Sequence, residues 1–326
     1  MGRRRLRDLA NREDVELALL EAREDRRREA QSMHPNLLAF ADLAEALRWK
    51  PEALSISTPP NKHDEFIRLA LQLGIHHFCE ANIWTLPPER ITAASEEKSL
   101  VSAPSNSLYF LPAVQELFRI VRAELDGLQA YQIILNTYMP DWHPGEGPEY
   151  YARHRNTAAG REMVPFELLW LNHVFGPARQ VCGLVTRGGK LPGVKEDTWS
   201  LQMLLDSGVS AQLLVLMGCP GALRQGWCLG GAGQVFFDLF SGEIRREFRA
   251  GVNDSRNFGT MKAVLEETYR REIHTFVDAI HRRVQWPQTY LATAWATATL
   301  AAAESSAETG LATPVQSAVQ PKVHPE

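Results

Sequence analysis

The chain has 326 residues, about twice the ~150 of one domain, and is 44% hydrophobic and 23% charged, the balance of a soluble globular protein with two domains. With 35 basic and 39 acidic residues the formal net charge is −4, which excludes the basic excess of a dedicated nucleic-acid binder and any bulk attraction to anionic membranes. Cys79, Cys182, Cys219 and Cys228 have no metal-binding spacing and are too few for a disulfide framework, no apolar run reaches the ~18 residues of a membrane span, and the Arg-rich start has no apolar signal-peptide core, so a cytoplasmic protein is expected.

In residues 1–30 acids nearly cancel the arginines, a pattern of solvated helix faces. The apolar run 15–20 predicts a strand, 24–32 a helix, and 42–49 a second helix with Leu43, Ala46 and Leu47 on one face. Residues 53–57 predict a strand that Thr58-Pro59-Pro60 must stop, because proline cannot continue a ladder. A helix over 63–73 carries Phe66, Ile67, Ala70 and Leu73 on one stripe and ends at Gly74. A strand at 75–79, a helix at 87–98 and a strand at 99–103 complete an alternation that predicts βαβ units and a parallel sheet.

After about residue 105 the pattern changes. An amphipathic helix over 111–125 precedes β runs at 129–138, 180–186, 198–206, 210–217, 224–229, 234–239 and 243–249. Glycine turns at Asp206-Ser207-Gly208, Gly230-Gly231 and Ser241-Gly242 join several of them, which predicts a largely antiparallel sheet of hairpins. Helices at 259–283 and 288–305 follow, and the segment 306–326, without periodicity, is expected to be disordered. The division is thus an α/β parallel-sheet domain at 1–104, an α+β domain with an open sheet suited to a homo-oligomer at 105–305, and a tail. Ligands in such folds bind beyond the carboxyl ends of the parallel strands.

The segment Ser55-Ile56-Ser57-Thr58-Pro59-Pro60-Asn61-Lys62-His63 leaves a strand, turns and enters a helix, placing backbone N–H groups and a hydroxyl where a pyrophosphate or ribose is held; a stiff capped loop is the alternative. This Thr-Pro-Pro-x-x-His element, the Gly74-Ile75-His76 before the next strand's end at Glu80, the Met139-Pro140-Asp141-Trp142-His143-Pro144 loop, and Arg161-Glu162-Met163-Val164-Pro165-Phe166-Glu167 followed by Val174-Phe175-Gly176 resemble the Gfo/Idh/MocA oxidoreductases over roughly residues 1–300. The resemblance implies a Rossmann-like domain, an NAD or NADP cofactor bound through Gly2, Arg3, Glu21, Thr58, Pro59, Pro60, His63 and Glu80, and hydride transfer to or from a sugar, cyclitol or nucleotide-sugar.

Three departures follow. Met1-Gly2-Arg3-Arg4-Arg5 resembles only the tail of the family's G-x-G-x-x-G, with Gly2 as its third glycine; the first strand and two glycines are either upstream or lost. Glu21, after the 15–20 strand, suits a ribose and favours NAD over NADP, with Arg23 nearby opposing that inference. Glu80-Ala81-Asn82 stands where the family has Glu-Lys-Pro, and Met163 and Phe166 stand where it has an Asp and a His, so the usual proton-transfer groups are missing. His143 is then the candidate general acid or base, with Asp141, Trp142, Tyr151, Arg153, Arg161 and Glu162 as substrate contacts. A non-catalytic sugar- or dinucleotide-binding regulator and a redox-assisted lyase or hydrolase with tightly held NAD are the competing readings. No metal site is expected, since His76 and His77 point to opposite faces of a strand; His274, Asp278 and His281 read as a solvated helix face.

Overall fold

A computed structural model of the chain describes residues 1–81, 86–141, 161–188, 191, 194 and 196–316. The first layer runs α1 (Gly2–Leu9), β1 (Ala18–Leu20), α2 (Glu24–Met33), β2 (Leu38–Phe40), α3 (Leu43–Arg48), β3 (Ala53–Ile56), α4 (His63–Leu73), β4 (His76–Cys79), α5 (Pro88–Glu97) and β5 (Ser102–Pro104). All its pairings are parallel, in two sheets, β1–β2 and β3–β4–β5, that share no ladder. The helix α4 ends where Gly74 turns left-handed at φ 70°, a conformation glycine adopts without Cβ strain.

The second layer runs α6 (Pro112–Ala123), β6 (Leu128–Thr137), α7 (Met163–Phe175), β7 (Ala178–Thr186), β8 (Thr198–Leu205), β9 (Ser210–Leu216), β10 (Ala222–Gly230), β11 (Gly233–Asp238), β12 (Glu243–Phe248), β13 (Asn253–Asn257), α8 (Met261–Ile280), α9 (Tyr290–Thr309) and β14 (Thr313–Pro314). Its nine-stranded sheet has the order β13-β12-β11-β10-β6-β9-β8-β7-β14 and is antiparallel except at β6–β9. Alternation along each strand sends Tyr131, Ile133 and Leu135, or Leu213 and Val215, into a core under α6, α7 and α9, with Trp170 and Trp199 fully buried there. The opposite face is open. One row across it follows the register, from Arg245 through Phe236, Trp227, Gln132, Gln212 and Gln202 to Cys182.

The last two helices return to the first layer and make the two layers one body. On one face of β3–β4–β5, Phe78 packs with Leu9, Ile273, Phe276 and Val277, which joins α1 and α8 to the sheet. On the other, Tyr290 of α9 is buried with Ile56, Ile67, Cys79 and Ile91. Neighbouring β4 residues thus serve opposite layers.

Two expectations are corrected. Part of the segment read as a disordered tail is ordered: α9 continues to Thr309, Gly310 caps it, and β14 pairs with β7. The cause is a close approach. A Cβ at Gly183 on β7 would sit 2.3 Å from Ala303 O, and the Ser306 hydroxyl accepts Gly183 N–H at 3.0 Å and donates to Leu311 O at 2.6 Å, so the chain is fixed beyond the helix. The His274, Asp278 and His281 stripe is not a solvated face. His274 Nε2 lies 3.0 Å from Asp8 O, Asp278 accepts from Arg12 at 2.8 Å, and His281 Nδ1 lies 3.3 Å from Asp14, so this stripe docks the segment after α1.

Candidate active site at the strand carboxyl ends

The carboxyl ends of β3, β4 and β5 form one edge because the strands are parallel, and the ladder extends past them through Glu80 N–H to Ile56 O (3.1 Å) and Ser105 N–H to Cys79 O (2.8 Å). Beyond β3, Thr58-Pro59-Pro60 bends into a 3-10 turn, and buried His63 reaches back so that its Nε2 lies 2.9 Å from Thr58 O. Burial holds the His63 pKa below its ordinary value, against the opposing pull of that carbonyl. The ring is therefore neutral and donates Nε2–H, which fixes the proline loop. His63 is a positioning residue here.

Beyond β4 comes Glu80, which is tied down. Arg5 of α1, 2% exposed, donates Nε–H to Glu80 Oε1 (2.8 Å), Nη2 to Glu272 Oε2 (2.5 Å) and Nη1 to Tyr269 O (2.9 Å), and stacks over the Phe78 ring at 4.7 Å. Fully buried Glu272 also accepts the Ser105 hydroxyl (2.9 Å) and the Asn106 N–H (2.8 Å). Burial pushes the Glu272 carboxyl up and Arg5 pulls it back; burial lowers the Arg5 pKa, and the two carboxylates more than reverse that. This triad pins α1, the ends of β4 and β5, and α8 at one point.

Two side chains at this edge are buried with nothing to bond. The Thr58 hydroxyl and both polar atoms of the Asn106 amide find no hydrogen-bond partner among the described residues. Each such group costs ~1–3 kcal/mol if left unpaired. A ligand that brings hydroxyl, phosphate and amide groups to the strand ends removes that cost, so the residues fit a dinucleotide. Asn106, Arg5 and Glu272 are absent from the residues singled out in the sequence. Position alone marks Asn106, one turn past a predicted strand end, whereas nothing local marks a pair 267 residues apart.

The other expected cofactor residues are placed as follows. Gly2 lies beside the end of β3, where an added Cβ would meet Ser57 Cβ at an ordinary 3.5 Å, so glycine is not sterically required there. Arg3 turns away and pairs with Glu29 at 2.7 Å. Glu21 directly follows β1, its Oε1 accepting Arg23 N–H at 3.0 Å.

Of the expected substrate contacts, Trp142, His143, Tyr151 and Arg153 lie outside the described residues. Asp141 ends a 3-10 turn after β6, and Arg161 and Glu162 lead into α7, so the three border that segment. The Arg161 guanidinium is bidentate to Glu304 of α9 (2.5 and 2.8 Å), which ties the start of α7 to α9. Glu162 makes no side-chain cap to α7, and burial raises its carboxyl to about 7. Glu167, fully buried, is committed to Arg224 and the Trp170 indole N–H, both at 2.8 Å.

A parallel layer joined to an open-sheet layer, with orphaned polar groups at the strand ends, leaves an edge on which a dinucleotide could be held. Residues 1–98 match the family model described as oxidoreductase family, NAD-binding Rossmann fold. No curated protein sequence matches the chain. Solved structures share the fold over nearly the whole length. GenD2 from gentamicin A biosynthesis in complex with NAD is 20% identical (TM-score 0.79, 97% of this chain and 94% of that one). Levoglucosan dehydrogenase in complex with NADH and levoglucosan is 15% identical (0.81, 96% and 95%). UDP-N-acetylglucosamine 3-dehydrogenase GnnA from Acidithiobacillus ferrooxidans is 18% identical (0.76, 94% and 94%). At these identities the likeness is one of fold.

Proposed function

We propose that the chain is an NAD(P)-dependent oxidoreductase acting on a hydroxyl-bearing ring carbon of a sugar, cyclitol or nucleotide-sugar. The observation that carries this reading is the set of buried polar atoms without a partner, the Thr58 hydroxyl and the Asn106 side-chain amide, at the carboxyl ends of the strands. Thr58, the His63-held proline loop, Asn106 and Glu21 would hold the dinucleotide, whose nicotinamide supplies the hydride chemistry when bound. Glu80, pinned by Arg5, shapes the loop end and is not free to move protons. Ala81 carries no proton either.

The proton falls to Glu162. Its carboxyl is raised to about 7, where an acid or base works best at neutral pH. It borders the segment that carries Trp142, His143, Tyr151 and Arg153, which we assign to the sugar, with His143 as the second proton-transfer candidate. None of the four cysteines is in a disulfide, which suits a reducing cytoplasm. Among the described residues no helix is long and apolar enough to cross a membrane.

Titration with NADH, read by energy transfer from the eight tryptophans, is expected to show saturable binding, and a screen of sugars and cyclitols to show turnover. Absence of binding by the folded chain would refute the reading. Binding without turnover of any ring hydroxyl favours the second reading, a non-catalytic binding protein, for which Ala81 in the lysine's place is the specific argument.

The open sheet face is assigned to a second copy of the chain. Trp227 and Phe236 sit side by side on it, Leu229 is exposed next to them, and a shallow groove of about 400 Å³ runs along Trp227, Gln132, Gln212 and Gln234. Aromatic side chains partly exposed beside uncharged polar ones suit an interface. Trp227→Arg is expected to weaken self-association by at least about 30-fold in sedimentation, the effect of losing a central aromatic anchor. A native chain that sediments as a monomer at all concentrations would refute the assignment.

A further inference from the structure

We propose that Glu304 of α9 is a positioning residue for proton transfer: by holding the Arg161 guanidinium it keeps that cation off the neighbouring Glu162 carboxyl, and so leaves Glu162 to exchange a proton with the substrate. The inference rests on the assignment of the proton to Glu162 above and concerns what keeps that group fit for the task.

Arg161 and Glu162 are adjacent at the start of α7, and adjacent opposite charges do pair in this chain: Arg7 binds Asp8 at 2.7 Å. Arg161 faces α9 instead. Its Nε and Nη2 donate to Glu304 Oε1 and Oε2 at 2.5 and 2.8 Å, with 23% and 14% of the two side chains exposed. A planar fork set squarely on a carboxylate, largely out of water, is the strong form of ion pair. It holds the guanidinium at the helix–helix contact.

The other charges around the start of α7 agree with this division. Arg224 of β10 is held by Glu167 at 2.8 Å, so Arg161 and Arg224 are both bound to carboxylates other than Glu162. Glu196, before β8, also attracts Arg161 and adds to its hold. Among the described residues burial is the cause that raises the Glu162 carboxyl, and no cation opposes it. Glu162 makes no cap bond to its own helix either. Without Glu304, a guanidinium on a flexible stem would stand one residue from that carboxyl. An opposite charge in contact lowers a carboxyl by about 1–3 pH units. Glu162 would then be ionised well below neutral pH, where it exchanges protons poorly with a hydroxyl at pH 7.

The test follows the Glu162 carboxyl itself, by NMR of isotope-labelled chain without nucleotide or substrate, its resonance identified by its loss in Glu162→Gln. The native chain is expected to titrate there at about 7. Glu304→Gln keeps the size of the side chain and removes its charge, and is expected to lower the midpoint by about 1–3 pH units. Arg161→Met is expected to leave it at the native value, and Arg161→Met combined with Glu304→Gln to restore it, because no cation is left to pair. The rise of turnover with pH should move with the midpoint in Glu304→Gln. A tie that only holds helices together would cost stability in both single variants and leave the midpoint in place, which overturns the proposal. A midpoint as low in the double variant as in Glu304→Gln also overturns it, since water entering the site and not Arg161 would then be the cause. A native midpoint at the ordinary 4.5 overturns the assignment of the proton to Glu162, and this proposal with it.

Discussion

Arg5→Ala is expected to destabilise the folded chain by about 3–5 kcal/mol, the cost of breaking a buried ionic cluster from one side. The substitution removes the guanidinium that Glu80 and Glu272 share and leaves Glu272, fully buried, with only the Ser105 hydroxyl and the Asn106 N–H. It also removes the stack over Phe78 and the bond to Tyr269 O that joins α1 to α8. Chemical denaturation at neutral pH measures the loss. The pH dependence has a definite sign. Without Arg5 the pull that lowers the Glu272 carboxyl is gone, so its folded pKa rises further above its unfolded value. A raised carboxyl favours the protonated folded chain, so the variant is least impaired in acid and loses stability as pH rises. Glu272→Gln added to Arg5→Ala removes one of the two stranded charges and should restore part of the stability. A variant as stable as the native chain at neutral pH would show that the triad does not hold the layers together.

Glu162→Gln is expected to lower turnover by about 10²- to 10³-fold, the range for removing a general acid or base. In the direction of alcohol oxidation the ionised carboxyl must accept the proton, so the native rate should rise with pH through about 7. The glutamine variant should lack that inflection while binding the nucleotide normally. A second readout needs no substrate. The carboxyl ionises near 4.5 when unfolded and near about 7 when folded, so the folded chain loses stability as pH rises between those values. Denaturation of the glutamine variant across that window should show a smaller decline. An unchanged inflection in Glu162→Gln would move the role to His143, and His143→Asn would then be the decisive variant.

The contrast between Arg5 and Glu162 shows how far the sequence reaches. Strand-to-helix alternation through residue 104, the proline stop after Ile56, the Gly74 cap and the glycine hairpins all depend on residues within a few positions of one another. Each is a local rule, and the elements those rules predict appear in the structure, whereas β2, for which no strand was expected between the helices at 24–32 and 42–49, does not follow from them. The same holds for the strand-end loop of Thr58 to His63, whose ring-to-carbonyl bond spans five residues. The family resemblance rests on such local text.

What the sequence determined by itself, then, is the two-layer plan, the resemblance to NAD-binding oxidoreductases and the strand-end loop that carries it, because periodicity, turn chemistry and short motifs are written in adjacent residues. What only the tertiary structure decided is how the charged residues are paired. Arg161, read as a substrate contact, binds Glu304; Glu80, read as a cofactor contact, binds Arg5; the His274 stripe, read as solvated, docks the end of α1 and the residues after it. Asn106, unremarkable in the text, is buried without a partner. A charge or an amide becomes a functional group through the company it keeps in space, and here that company comes from residues 75 or more positions away, brought near by the packing of α1, α8 and α9.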